Sequence, residues 1–193
     1  MIDLDRKIIF LHPPKTGGTT IESAFKWHPK YVINQPKYWL FFKRFKHASL
    51  QSQIRGVEAL GFSEKEFFKF VCVRNPWDIA VSWYYFDKAR EVIDEALPFE
   101  TFIFRKCKGP NFLNIFPYIN YKNNMYVDYV IRYENYKEDA ERVFDKYDVT
   151  WNEHFHVTSR PRNTPYQDLY TPKTKTMVEE KAKSYIDMFE YSF

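Results

Sequence analysis

Two short stretches of this chain place charged and hydroxyl-bearing residues beside the start of a helix. The first is His12-Pro13-Pro14-Lys15-Thr16-Gly17-Gly18-Thr19-Thr20. Glycines let a backbone turn closely around a ligand, and a helix starting there offers unpaired N–H groups and a positive dipole end. Lys15 adds a point charge, while Thr16, Thr19 and Thr20 add hydroxyls. On residue types alone two accounts stand: a phosphate or sulfate cradle, and an ordinary strand-to-helix turn with a solvated lysine. The stretch is not a Walker loop, where Gly-Lys-Ser/Thr closes the turn, because Lys15 precedes both glycines. The second stretch is Arg74-Asn75-Pro76 followed by Ser82; on residue types alone Ser82 reads as a serine on the helix surface or bonded back to its own helix. Five histidines, His12, His28, His47, His154 and His156, supply groups that titrate near neutrality. His154 and His156 alternate along an extended segment, which is thin ground for metal ligation, and no metal is expected.

These residues need elements to hold them. Lys7–Leu11 is a short apolar run ending at His12-Pro13-Pro14, which predicts a buried strand; Thr19–Phe25 has apolar groups at helical spacing. Trp27–Lys46 reads as a long surface excursion rich in lysine and rings. Ser49–Leu60 places Leu50, Ile54, Val57 and Leu60 on one helical face with Gly61 as a stop. Ser63–Glu66 has the form of a capping box. Phe70–Val73 is a second apolar strand, after which Asn75 suits an N-cap and Pro76 the first helical position, for a helix running towards Val92. Further helices are predicted over Phe99–Lys106, Tyr136–Tyr147 and Pro172–Met188, with a third strand over Tyr126–Arg132. Strands alternating with helices predict an α/β fold of three layers, a central, mostly parallel sheet flanked by helices.

Composition narrows the class. The 193 residues suit one domain over 1–193, and 45% apolar with 28% charged residues supports a packed core. Rings make up 20% of the chain, so the core leans on aromatics. Two cysteines, Cys72 and Cys107, exclude a disulfide scaffold. No run approaches a membrane span and the first residues lack a signal-peptide layout, which predicts a cytoplasmic protein. The net charge of +4 suits an anionic ligand without demanding nucleic acid.

Phe10-Leu11-His12-Pro13-Pro14-Lys15-Thr16-Gly17-Gly18-Thr19-Thr20 resembles the 5′-phosphosulfate loop of sulfotransferases that use PAPS, 3′-phosphoadenosine 5′-phosphosulfate. Val73-Arg74-Asn75-Pro76-Trp77-Asp78-Ile79-Ala80-Val81-Ser82-Trp83-Tyr84 is similar to that family's 3′-phosphate segment, commonly written RNPxDRxVSxY. Ile131–Asn135 and Asp187–Phe193 are weaker echoes, so the resemblance spans nearly the whole chain. It is nearest the carbohydrate branch, which includes heparan sulfate 2-O-sulfotransferases and small bacterial and viral relatives. Two positions depart from the pattern: Ile79 stands where the family has Arg, and Glu190 where its C-terminal motif has Gly.

The resemblance implies roles. Thr16, Gly17, Gly18, Thr19 and Thr20 hold the 5′-phosphosulfate, and Lys15 sits near the oxygen bridging phosphorus and sulfur. Arg74 and Ser82 read the 3′-phosphate. His47, between the two motifs, matches the position of the branch's catalytic histidine and is the expected general base, with His28 the runner-up; capping of the following helix is the alternative for His47. His12 is expected to pack beneath the loop. Arg160, with Arg162, lies where relatives contact the nucleotide, and either could instead meet an anionic acceptor or solvent. Tyr38–Lys46 could bind acceptor, lie on a membrane surface or pack as a lid.

The implied activity is transfer of the sulfonate of PAPS to an acceptor hydroxyl, that of a carbohydrate by the nearest branch, releasing PAP with no metal. Golgi relatives carry a membrane anchor; its absence here points to a bacterial or viral setting. The other readings are a P-loop-type kinase, disfavoured by the position of Lys15, and a non-catalytic nucleotide or nucleic-acid-binding module.

Overall fold

A computed structural model describes residues 1–27, 46–150 and 164–193 of the chain. Along it run β1 (Ile2–Asp3), β2 (Ile8–Leu11), α1 (Gly18–Ala24), α2 (Leu50–Ala59), β3 (Phe68–Val73), α3 (Pro76–Ala89) and α4 (Phe99–Cys107). They are followed by α5 (Phe116–Ile119), β4 (Asn120–Tyr121), β5 (Asn124–Met125), β6 (Tyr129–Arg132), α6 (Tyr136–Asp145), α7 (Pro172–Lys181) and α8 (Lys183–Phe189). Contacts gather the described residues into two units, one of residues 1–27, 46–73 and 116–150, the other of 74–115 and 164–193. Among the described residues no helix is long and apolar enough to cross a membrane.

The first unit holds a four-stranded sheet in the order β1-β2-β3-β6. β2, β3 and β6 are parallel, with Phe10 opposite Phe70 and Cys72 opposite Ile131. β1 adds an antiparallel edge, Ile2 facing Ile9. Side chains alternate across a strand, so Ile8, Phe10, Phe70, Cys72 and Ile131 share one face. There they pack with Ile21, Ala24 and Phe25 of the α1 region and with Ala140, Val143 and Phe144 of α6. Ile9, Leu11, Val71 and Val73 point to the other face and are as deeply buried, as a parallel sheet requires. Rings dominate the core: Phe10 stacks on Phe70 with centroids 4.9 Å apart, and Phe25 on Trp27 at 4.4 Å.

The expected third strand starts later than its apolar pattern, at Tyr129. Asp128 is spent on the neighbouring strand: its carboxylate accepts the Lys69 N–H at 2.6 Å and its own N–H donates to the Lys69 carbonyl at 2.7 Å. β1 and the β4–β5 hairpin are additions that sequence periodicity does not reveal. At the hairpin, Lys122 and Asn123 both take positive φ, as a two-residue turn between right-twisted strands demands.

In the second unit, α3 begins as expected. Asn75 Oδ1 accepts the Trp77 N–H at 3.0 Å with Pro76 at the first position. Tyr84, Phe99 and Phe102 pack by their rings, and α4 lies against α7. The C-terminal helix divides at Ala182 into α7 and α8.

Candidate active site

The loop after β2 is shaped by two left-handed residues, Lys15 at φ 68° and Gly17 at φ 88°. Between them Thr16 is fully buried and donates its hydroxyl to the Pro13 carbonyl at 2.8 Å, so its side chain serves the turn itself. Gly17 is required twice over. Its φ is disfavoured for other residues, and a Cβ there would meet the Tyr133 ring at 3.0 Å and the Tyr136 ring at 3.1 Å. Tyr136 donates its hydroxyl to the Gly17 carbonyl at 2.7 Å, pinning the loop from α6. Gly18 opens α1 against the His12 ring, where a Cβ would collide. Thr20 is buried and Thr19 and Lys15 are half-buried at the start of α1.

Beneath the loop, His12 is buried and stacked on Phe10 at 5.6 Å, as expected. Its Nδ1 lies 2.7 Å from Glu22 Oε1. Burial pushes the His12 imidazole down to about 4, further than Glu22 pulls it up, so near neutrality it is uncharged and donates Nδ1–H to the carboxylate. Burial alone would raise Glu22; the hydrogen bonds and charges of His12 and Lys46 outweigh it and hold the carboxyl below its usual range. The Lys46 ammonium, 2.8 Å from Glu22 Oε2, matches that buried charge and also donates to Thr19 Oγ1 at 3.0 Å.

His47 follows directly. Its Nδ1 stands 2.6 Å from the carbonyl oxygen of His12, and its ring meets the His12 ring edge-on at 4.7 Å. A carbonyl only accepts, so Nδ1 carries the proton and Nε2 keeps its lone pair. Desolvation lowers the His47 pKa more than the carbonyl bond and Glu22 raise it, and Lys46 lowers it further. The residue as a whole remains open to solvent. The structure therefore brings Lys15, Thr16, Gly17, Gly18, Thr19, Thr20 and His47 together at the carboxyl end of β2. Open α/β sheets commonly bind ligands at that end of their strands. Ser49, two residues on, is the N-cap of α2, accepting the Ser52 N–H at 3.2 Å, so His47 is not needed as the cap.

No sequence motif marks Glu22 or Lys46. Glu22 sits on the apolar face of a short helix, where a buried carboxylate is a signal of a partner. Lys46 closes a stretch already rich in lysine and rings, so its sequence context does not set it apart.

Arg74 and Ser82 belong to the second unit. The Arg74 backbone is clasped by Tyr185, which accepts its N–H at 3.1 Å and donates to its carbonyl at 2.9 Å. The guanidinium turns along α3 to Asp78, with Nε at 2.7 Å and Nη2 at 2.6 Å from Oδ2. Ser82 is half-buried one turn beyond Asp78. Asn75 Nδ2 donates to the Ser192 carbonyl at 2.7 Å, tying the end of the chain to this segment. Ile79 is buried, which suits its apolar side chain. Glu190 takes φ 56° just past α8, a left-handed position that favours glycine. His28, His154, His156, Arg160, Arg162 and Tyr38–Phe45 lie outside the described residues. Among the described residues no group of three His, Cys, Asp or Glu side chains is placed to hold a metal.

No family profile matches this chain, and no curated protein does. Among solved structures it is similar to mouse sulfotransferase SULT7A1 complexed with PAP, with a TM-score of 0.57 and 14% identity. The match covers 96% of this chain and 86% of that one. A likeness at this identity establishes the fold: the chain has the P-loop-like α/β architecture of sulfotransferases, a mostly parallel sheet flanked by helices.

Proposed function

We propose that this chain is a PAPS-dependent sulfotransferase that transfers sulfonate to a hydroxyl of a carbohydrate, in the manner of the 2-O-sulfotransferase branch. The observation that carries the reading is the placement of His47. An imidazole held by its Nδ1–H, on a residue exposed to solvent, stands beside a glycine loop bearing Lys15 at the carboxyl end of a parallel strand. That is the arrangement a general base beside an anion cradle needs.

In the reaction the acceptor oxygen attacks sulfur in line and the bond from sulfur to the bridging oxygen breaks. The electron pair stays on that oxygen, and PAP departs. His47 Nε2 takes the acceptor's proton. Lys15 faces the bridging oxygen as it gains charge, where a fixed cation favours the transition state over the bound donor. Gly17, Gly18, Thr19 and Thr20 hold the 5′-phosphosulfate through backbone N–H groups and hydroxyls. Thr16, whose hydroxyl proton is engaged within the turn, contributes its backbone. Arg74 and Ser82 take the 3′-phosphate, and Arg160 the nucleotide.

The test is incubation of the protein with ³⁵S-labelled PAPS and a panel of glycans, with products read by mass. Label on a sugar hydroxyl, lost in Lys15→Ala while PAP still binds, is the expected result. Absence of transfer together with absence of PAP binding rejects the reading.

A further inference from the structure

Glu22 is almost wholly buried, at 2% exposure, yet its two oxygens do different work. Oε1 takes the His12 Nδ1 proton at 2.7 Å, and Oε2 faces the Lys46 ammonium at 2.8 Å. Each arm ends at the loop. His12 offers its own carbonyl to His47 at 2.6 Å, and Lys46 reaches Thr19 Oγ1 at 3.0 Å. A carboxylate in an apolar core is retained at a cost in desolvation, and burial of this one is compensated by both partners at once. Lys46 and His47 are adjacent in sequence, so the two arms also fix the backbone between them.

We propose that Glu22 is the positioning residue of this site, setting the base and a second cation against the loop through one carboxylate. One arm locks the His12 ring, and with it the carbonyl that selects the His47 tautomer. The other holds the Lys46 ammonium at Thr19, beside the place where the proposed function puts the sulfonate. This inference rests on the sulfotransferase reading for its kinetic consequence, but the arrangement itself is read without activity. Residues that orient the ligands of metal sites change affinity or activity by about 10–100-fold when removed, and an effect of that order is expected here.

The experiment uses the full chain with Glu22→Gln, which keeps the shape but offers one acceptor oxygen to two donors, so the His12 and Lys46 arms cannot both be held. Long-range ¹H–¹⁵N spectra report the ring nitrogens, with His47 assigned by His47→Asn. In the parent protein His47 is expected as the single Nδ1–H tautomer. In Glu22→Gln the expected results are a mixture of tautomers and kcat down roughly 10–10²-fold, with PAP affinity within about threefold of the parent. A parent-like His47 signature with parent-like kcat overturns the proposal, as does a fall in kcat matched by an equal fall in PAP affinity. Should Glu22→Gln fail to fold, Lys46→Met severs one arm alone. Lower kcat with the His47 tautomer unchanged then supports the two-arm arrangement, and a lost tautomer or unchanged kcat overturns it. A changed tautomer in Glu22→Gln, with no sulfonate transfer by the parent protein, would leave the positioning intact and reject the sulfotransferase reading instead.

Discussion

The Nδ1 of His47 lies 2.6 Å from the carbonyl oxygen of His12, a bond between residues 35 apart in sequence. It joins the start of the glycine loop to the segment leading into α2, and it decides which nitrogen of neutral His47 carries the proton. If His47 is the base, His47→Ala should lower turnover roughly 10²–10⁴-fold with PAP affinity retained. Steady-state rates beside calorimetric titration with PAP check this. A parent-like rate would remove His47 from the chemistry.

The same histidines set two pH responses. In its proposed role as base His47 acts unprotonated, and desolvation lowers its pKa, so the acid limb of kcat/KM should fall below pH 6.5. His12 concerns stability. Its folded pKa of about 4 lies under the unfolded 6.5, so the unfolded chain binds more protons between those values. Stability contributed by neutral His12 is therefore complete above pH 6.5 and is lost as pH falls towards 4, by about 3 kcal/mol. Urea unfolding at pH 7 and pH 4.5 measures the difference, and equal midpoints would contradict it.

Gly18→Ala drives a Cβ into the His12 ring, and overpacking of this kind costs about 1–3 kcal/mol. Thermal unfolding should show a lower Tm, and the His12 ring resonances should shift with it.

Glu190→Gly is expected to stabilise the chain. A non-glycine residue in the left-handed region costs roughly 1–2 kcal/mol, and the added freedom of glycine in the unfolded chain returns about half of that. A net gain of about 0.5–1 kcal/mol in denaturant unfolding is the expected result; a loss would mean that the Glu190 side chain has a stabilising contact outweighing its strain.

Arg74→Ala should weaken PAPS binding and leave adenosine 5′-phosphosulfate, which lacks the 3′-phosphate, nearly unaffected. A charge-assisted hydrogen bond is worth about 1.5–3 kcal/mol, or roughly 10–150-fold. Asp78 already bonds the guanidinium, so the effect should fall near the lower end. Calorimetry with both ligands decides: equal weakening for both assigns Arg74 a structural role alone.

Most of the scaffold was legible because its signals are local. Asn75-Pro76 starts α3, Ser63–Glu66 forms its capping box, and Pro172 opens α7, each through bonds that span three residues or fewer. The glycine loop was legible for the same reason. β1 escaped because two residues carry no period, and the break at Ala182 lies inside an unbroken helical pattern. The network under the loop escaped for a different reason. Glu22, His12, Lys46 and Thr19 acquire meaning only when β2 and the segment before α2 are brought side by side. No periodicity records a pairing between residues 22 and 46.

The glycine pair serves the protein's own packing, since the rings of Tyr133, Tyr136 and His12 fill the space that side chains at 17 and 18 would need. A descendant that had lost every ligand would still be held to Gly17 and Gly18 by those rings. The loop motif is therefore a poor marker for telling working enzymes from inert relatives in a genome. The discriminating positions are those that core packing does not demand: a hydroxyl at 19 and a histidine at 47.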